Sequence, residues 1–157
     1  PLLEADAIAA YRELLLPLAR VITPNLPEAE ALLGGQIPDE SALEPAARRL
    51  GEIFGCAVLL KGGHLDGPEC VDLLVDQGAV HRFTAARIPV AGSHGTGCTL
   101  SAALTAALAH GEPLPRAVEA AKNFLGETLR RSYHFQSGGG QLVHALNQGT
   151  TFRKNEA

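Results

Sequence analysis

A glycine-rich turn that runs straight into a helix sets the tightest limit on what this chain can fold into. Gly92-Ser93-His94-Gly95-Thr96-Gly97-Cys98-Thr99 leads into Leu100-Ser101-Ala102-Ala103-Leu104. Glycine lets the backbone adopt positive φ and come close to a ligand. The first turn of a helix leaves N–H groups without partners, and its dipole favours negative charge. Together they make an anion site out of backbone. The same pattern also suits a plain tight turn with a buried cysteine. Gly92, four residues, then Gly97-Cys98-Thr99 reads G-x-x-x-x-G-C-T, with cysteine where a P-loop needs lysine. Without that lysine the β/γ-phosphate clamp is missing, so this is not a P-loop.

Around this turn the chain alternates short apolar strands with helices. Asp6 is placed as a helix cap, with Ile8, Tyr11, Leu15 and Leu18 at helical spacing and Pro17 ending or kinking the helix. Val21-Ile22 reads as a short strand, and Thr23-Pro24-Asn25 follows it. Pro27 opens a helix that Gly34-Gly35 closes. Asn25 and Glu28 therefore stand at a strand-to-helix junction, at the carboxyl edge where open α/β sheets bind ligands. They also suit a simpler role, Asn25 in the turn and Glu28 against the helix dipole, and the residues alone favour it.

Leu43, Ala47, Leu50 and Phe54 mark another helix, whose start is contested between a cap at Ser41 and Pro45. Cys56-Ala57-Val58-Leu59-Leu60 is a continuous apolar run, the pattern of a strand buried on both faces. It ends in Lys61-Gly62-Gly63-His64, where the lysine suits either a phosphate contact or a solvated turn. Alternation over Cys70 to Ala85 about Gln77-Gly78 predicts a β-hairpin. A helix from Thr96 to about His110 carries Leu100, Ala103, Leu104 and Ala107 on one face. Gly111 stops it, and Pro115 begins a helix with Val118, Ala121, Leu125 and Leu129 inward. Ser137-Gly138-Gly139-Gly140 reads as a flexible link to a short final turn, Leu142 to Leu146. Residues 147–157 read as a frayed polar tail. The alternation and the antiparallel portion indicate an α/β sandwich.

Composition narrows the function classes. At 157 residues the chain suits one domain with a real core. A net charge of −4 leaves no basic footprint for nucleic acid. Three cysteines without paired spacing fit a reducing compartment. No apolar run is long enough to cross a bilayer and no signal peptide is visible, so the location is read as cytoplasmic. His64, His81, His94, His110, His134 and His144 have no metal-ligand spacing, and no zinc site is assigned. The chain starts at Pro1 and has no methionine, which fits either a trimmed initiator or a piece of something longer.

Three stretches together go beyond pattern: Val21-Ile22-Thr23-Pro24-Asn25-Leu26-Pro27-Glu28-Ala29-Glu30, then Leu60-Lys61-Gly62-Gly63-His64, then His94-Gly95-Thr96-Gly97-Cys98-Thr99-Leu100-Ser101-Ala102-Ala103. In order and spacing the chain, from Pro1 to about Arg131, resembles hydroxymethylpyrimidine/phosphomethylpyrimidine kinase of thiamine biosynthesis, in the ribokinase-like superfamily. The resemblance implies a ribokinase-like three-layer α/β sandwich whose N-terminal βα units are missing from this chain. Residues 1–146 would be the C-terminal part of a single kinase domain.

The resemblance also implies roles. Gly95, Thr96, Gly97 and Cys98 match the family's anion hole and catalytic position. Cysteine stands there in the pyrimidine kinases and aspartate in most of the superfamily. Asn25 and Glu28 match an N-x-x-E motif that organises Mg²⁺ and phosphate, Glu28 nearest the metal. Lys61 matches a position near the ATP phosphates. The segment Ile88 to Val90, and Lys122 with Asn123, are expected to flank the adenine. The implied partners are ATP, Mg²⁺ and a small pyrimidine alcohol, with no nucleic acid and no membrane. The chain would work as a homodimer or together with a missing N-terminal half. A pyridoxal kinase-like enzyme and a non-catalytic nucleotide-binding fragment are the competing readings.

Overall fold

In the computed structural model, residues 5–63, 65, 67–89, 94–136, 138, 140 and 142–149 are described. They form two compact units, 1–87 and 88–157.

The first unit opens with α1 (Ala5–Ala10), a π turn over Tyr11–Leu15 and a 3₁₀ turn over Leu16–Leu18. Asp6 lies inside α1, not at its cap. The wide turn followed by the tight one breaks the helical phase. The residues that periodicity aligns, Ile8, Tyr11, Leu15 and Leu18, are therefore exposed, while Leu16 is buried. Leu18 keeps 80% of its surface in solvent.

β1 (Val21–Ile22) runs parallel to β2 (Ala57–Lys61). β2 pairs antiparallel with β3 (Glu69–Asp76), and β3 with β4 (Ala79–Ala86), giving the order β1-β2-β3-β4. The β3–β4 turn is Gln77-Gly78, both at positive φ (48° and 85°), the backbone that a two-residue hairpin of matching twist requires. Val58, Leu59, Leu60, Leu73 and Leu74 are all buried. Two helices, α2 (Leu26–Leu33) and α3 (Leu43–Phe54), complete the unit. The contested start of α3 resolves into a 3₁₀ turn, Glu40–Ala42, capped by Asp39, with Pro45 in the first helical turn. Leu43, Ala47, Leu50 and Phe54 of α3 join Val58, Leu60, Val71, Leu73 and Val75 in one core. Arg20 closes the far end with paired bonds to Asp76, 3.0 and 3.1 Å, which raise the guanidinium pKa.

The second unit holds α4 (Thr96–Ala109) and α5 (Leu114–Arg130), packed on each other across a short connection. Leu100, Ala103, Leu104 and Ala107 are buried as periodicity predicts. Val118 and Ala121 of α5 are buried too. The C-terminal end departs from expectation. The stretch from Leu142, read as a short final turn, is instead a strand, β6 (Leu142–Ala145), paired antiparallel with β5 (Tyr133–Gln136). The glycine run spans the two strands; Ser137 and Gly139 within it lie outside the described residues. Tyr133, Phe135 and Val143 suit strands, and cross-strand pairing outweighs the flexibility read from the glycines. No helix among the described residues is long and apolar enough to cross a membrane.

Candidate functional site

In the first unit, Asn25, Glu28 and Lys61 come together at the carboxyl ends of β1 and β2. Asn25 leaves β1 in extended backbone and caps α2. Its Oδ1 accepts from the Glu28 amide at 2.9 Å, and the Glu28 carboxylate accepts from the Asn25 amide at 2.8 Å. This reciprocal capping box satisfies two helix-end donors. The structural role that the residues alone favoured is thus present. It also fixes both side chains at the sheet edge. Replacing Asn25 by Ala is expected to cost about 1 kcal/mol, seen as a lowered urea midpoint, while Asn25→Asp retains the cap.

Lys61 is tied to that corner through backbone. Its amide donates to Pro24 O at 2.9 Å, and Asn25 and Lys61 form a parallel bridge. Gly62 follows, and its amide donates both to Val71 O at 2.9 Å and to Asp72 Oδ1 at 3.1 Å. Asp72 is buried, at 7% exposure. Beyond Gly62, Arg87 wraps the turn. Its guanidinium donates to Gly63 O at 2.9 Å, to Gly67 O at 2.8 Å, and to Leu65 O. Neither Asp72 nor Arg87 stood out in the sequence. The signal available was an acidic residue inside the apolar run Cys70–Val75, a pattern that needs a buried partner.

In the second unit, Gly95 is the N-cap of α4 at φ 86°, ψ −10°, a left-handed backbone that glycine adopts without strain. Thr96, Gly97 and Cys98 form the first turn, and the Thr99 amide donates to Gly95 O at 2.9 Å to start the helical ladder. The amides of Gly97 and Cys98 sit at the helix end that attracts anions. Cys98 is exposed, whereas Cys56 and Cys70 are half-buried. Burial pushes the Cys56 thiol up, away from thiolate chemistry. Thr99 is buried and accepts from Gln148 Nε2 at 2.8 Å. Leu146 lies 3.7 Å from where a Cβ on Gly95 would stand, so the chain after β6 braces this turn. Lys122 is half-buried and Asn123 exposed on α5. Val90, Gly92 and Ser93 lie outside the described residues.

For Mg²⁺, the fit rests on Glu28. One of its oxygens is committed to Asn25, and the residue is exposed. A hydrated Mg²⁺ asks for one or two carboxylates and keeps several waters. Among the described residues no group of three or more His, Cys, Asp or Glu side chains is placed to hold a metal. Glu28 therefore suits a mostly water-coordinated ion and no all-protein cage.

Comparison with solved structures places the fold among the ribokinase-like kinases. Pyridoxal kinase from Staphylococcus aureus, solved with AMP-PCP, matches 94% of this chain at TM-score 0.84 and 32% identity. Phosphomethylpyrimidine kinase from Clostridium difficile matches 80% at TM-score 0.68 and 36% identity. Within that class, the family model described as phosphomethylpyrimidine kinase matches residues 1–143, and the chain belongs to this family. It is 46% identical over 141 residues to the hydroxymethylpyrimidine/phosphomethylpyrimidine kinase of Rhizobium meliloti. The match takes in 89% of this chain and 53% of that relative, and 53% and 50% of the two solved structures. The chain thus spans about half the length of these three proteins.

Proposed function

We propose that this chain supplies the phosphate and nucleotide side of a kinase that uses ATP to phosphorylate 4-amino-5-hydroxymethyl-2-methylpyrimidine and its monophosphate in thiamine biosynthesis. Membership of the phosphomethylpyrimidine kinase family over residues 1–143 is the observation that carries this reading. Residues 1–146 act as the C-terminal part of one kinase domain, and the N-terminal half found in the relatives, whether in the same polypeptide or a separate one, completes the alcohol pocket.

Phosphoryl transfer passes through a loose transition state, so the protein mostly positions groups and stabilises charge. The acceptor oxygen attacks the γ-phosphorus, the bond to the ADP oxygen breaks, and the acceptor's proton passes to the Cys98 sulfur as general base. The Gly97 and Cys98 amides meet the charge on the transferred phosphoryl oxygens, with Gly95 and Thr96 shaping the turn. Lys61 meets the nucleotide phosphates. Val90, Lys122 and Asn123 flank the base. Glu28, held by Asn25, would take Mg²⁺ through water, and the ion would offset phosphate charge.

The test is ATP-dependent phosphorylation of the pyrimidine alcohol. The chain is assayed alone and with the half of the Rhizobium meliloti relative that it does not match. Little turnover is expected alone, and clear turnover with the companion. Robust turnover by the chain alone would show that no companion is needed. No phosphorylation in either sample would overturn the reading. Pyridoxal is assayed beside it, because the pyridoxal kinase of Staphylococcus aureus shares the fold at TM-score 0.84. Faster turnover of pyridoxal would reassign the acceptor.

A further inference from the structure

We propose that Asp72 and Arg87 are positioning residues that pre-set the turn 61–67 and thereby aim Lys61. The proposal rests on the reading of Lys61 as a phosphate contact.

The turn leaves β2 at Lys61, opposite Asp72 in the β2–β3 register. A strand end that leaves its sheet is ordinarily free to fray. Here it is held at both ends. At its start, the Gly62 amide is shared between Val71 O and the buried Asp72 carboxylate. A carboxylate accepts more strongly than a carbonyl, and low exposure strengthens the bond further. The backbone of Gly62 lies so close to β3 that a Cβ there would fall 2.2 Å from Val71 O. Farther along, three N–H groups of one planar guanidinium reach three carbonyls of the turn, at Gly63, Leu65 and Gly67. The Arg87 amide also donates to Pro68 O, and the Leu65 amide to Gly62 O. A fork of this geometry is particular to arginine; lysine offers the charge without the spacing.

These bonds bear on Lys61 because its own amide is tied to Pro24, next to the Asn25–Glu28 corner. With its backbone fixed on both sides, Lys61 has only its side-chain rotamers left to order when an anion arrives. A turn that had to be ordered at binding would weaken affinity.

The experiment uses the whole chain, with ADP as the probe. ADP affinity and amide hydrogen exchange are measured well below each variant's unfolding temperature. Asp72→Ala and Arg87→Lys are expected to weaken ADP binding about tenfold and to speed exchange at 61–65. Exchange in the β3–β4 hairpin should stay as in the parent. Asp72→Asn, which keeps an acceptor for the Gly62 amide, is expected to restore most of the affinity and the protection. Parent affinity and protection in Asp72→Ala and Arg87→Lys would overturn the proposal. Faster exchange with unchanged affinity would overturn it too, leaving those residues with a structural role only. Lys61→Gln separates the underlying reading. If the parent binds no ADP, or Lys61→Gln binds it as the parent does, Lys61 is no phosphate contact and the proposal falls with that reading.

Discussion

Replacing Cys98 by Ala is expected to lower phosphoryl transfer by roughly 10²–10⁴-fold in a form that turns over, with ADP or ATP affinity changed by less than about twofold. That loss corresponds to about 3–5 kcal/mol of transition-state stabilisation. The split between rate and affinity follows from where the residue sits. Cys98 is the third residue of α4, exposed, with its amide among those at the helix end. The substitution leaves that amide in place, so under the proposed mechanism the backbone contacts to phosphate survive and only the proton acceptor is lost. Single-turnover transfer and nucleotide binding, measured side by side on the complemented protein, separate the two. Equal rates in the parent and the variant would remove the thiol from the mechanism. A large loss of nucleotide affinity instead would make Cys98 a binding group. The other thiols serve as controls, because Cys56 and Cys70 are half-buried in the first unit.

The elements that could be read from residues are those whose signals are local. Pro27 in the first turn and Gly34 at the C-cap bound α2 by themselves. Gln77-Gly78 between alternating runs defines a hairpin without outside help. The face of α4 follows from helical period alone. Failure begins where distant groups decide. The phase of the N-terminal helix depends on a π turn over Tyr11–Leu15, which propensity does not encode. The run Ser137 to Gly140 reads as slack, whereas what defines the strands on either side of it, Tyr133–Gln136 and Leu142–Ala145, is cross-strand pairing.

The candidate site divides in the same way. Asn25, Glu28, Lys61, Gly95 and Cys98 were legible as motif residues. The motif did not show that Asn25 and Glu28 spend hydrogen bonds on capping each other. Nor did it show the parts that hold the motifs still. Asp72 lies eleven residues beyond Lys61 and reaches it only through the antiparallel register. Arg87 meets its carbonyls across a turn whose path no local rule specifies. Gln148, in a stretch read as a frayed tail, reaches back to Thr99 beside Cys98. Side chains that support a site act over sequence distance, so they carry no short pattern to recognise.

Gly62→Ala is expected to be strongly damaging, lowering stability by about 3 kcal/mol. The cause is steric. A Cβ at Gly62 would meet Val71 O at 2.2 Å and Val71 C at 3.3 Å, both backbone atoms of β3, and Leu43 Cδ1 at 3.4 Å. A flexible side chain could swing away; a ladder strand in the middle of a sheet cannot. Relief would require β2 and β3 to separate where the Gly62 amide bonds Val71 O and Asp72. At about 2–4 °C per kcal/mol for a chain of this size, the melting temperature should fall by about 6–12 °C. Gly63→Ala is the control, since a Cβ there meets nothing within 4 Å and φ is not in the left-handed region. Its melting temperature should stay within about 2 °C of the parent, because a substitution that meets no neighbour typically costs no more than about 0.5 kcal/mol. Equal melting temperatures for the two variants would mean that the two strands are not in close approach at Gly62. Because the same approach fixes the backbone behind Lys61, any Gly62→Ala protein that still folds should also bind ADP more weakly than Gly63→Ala.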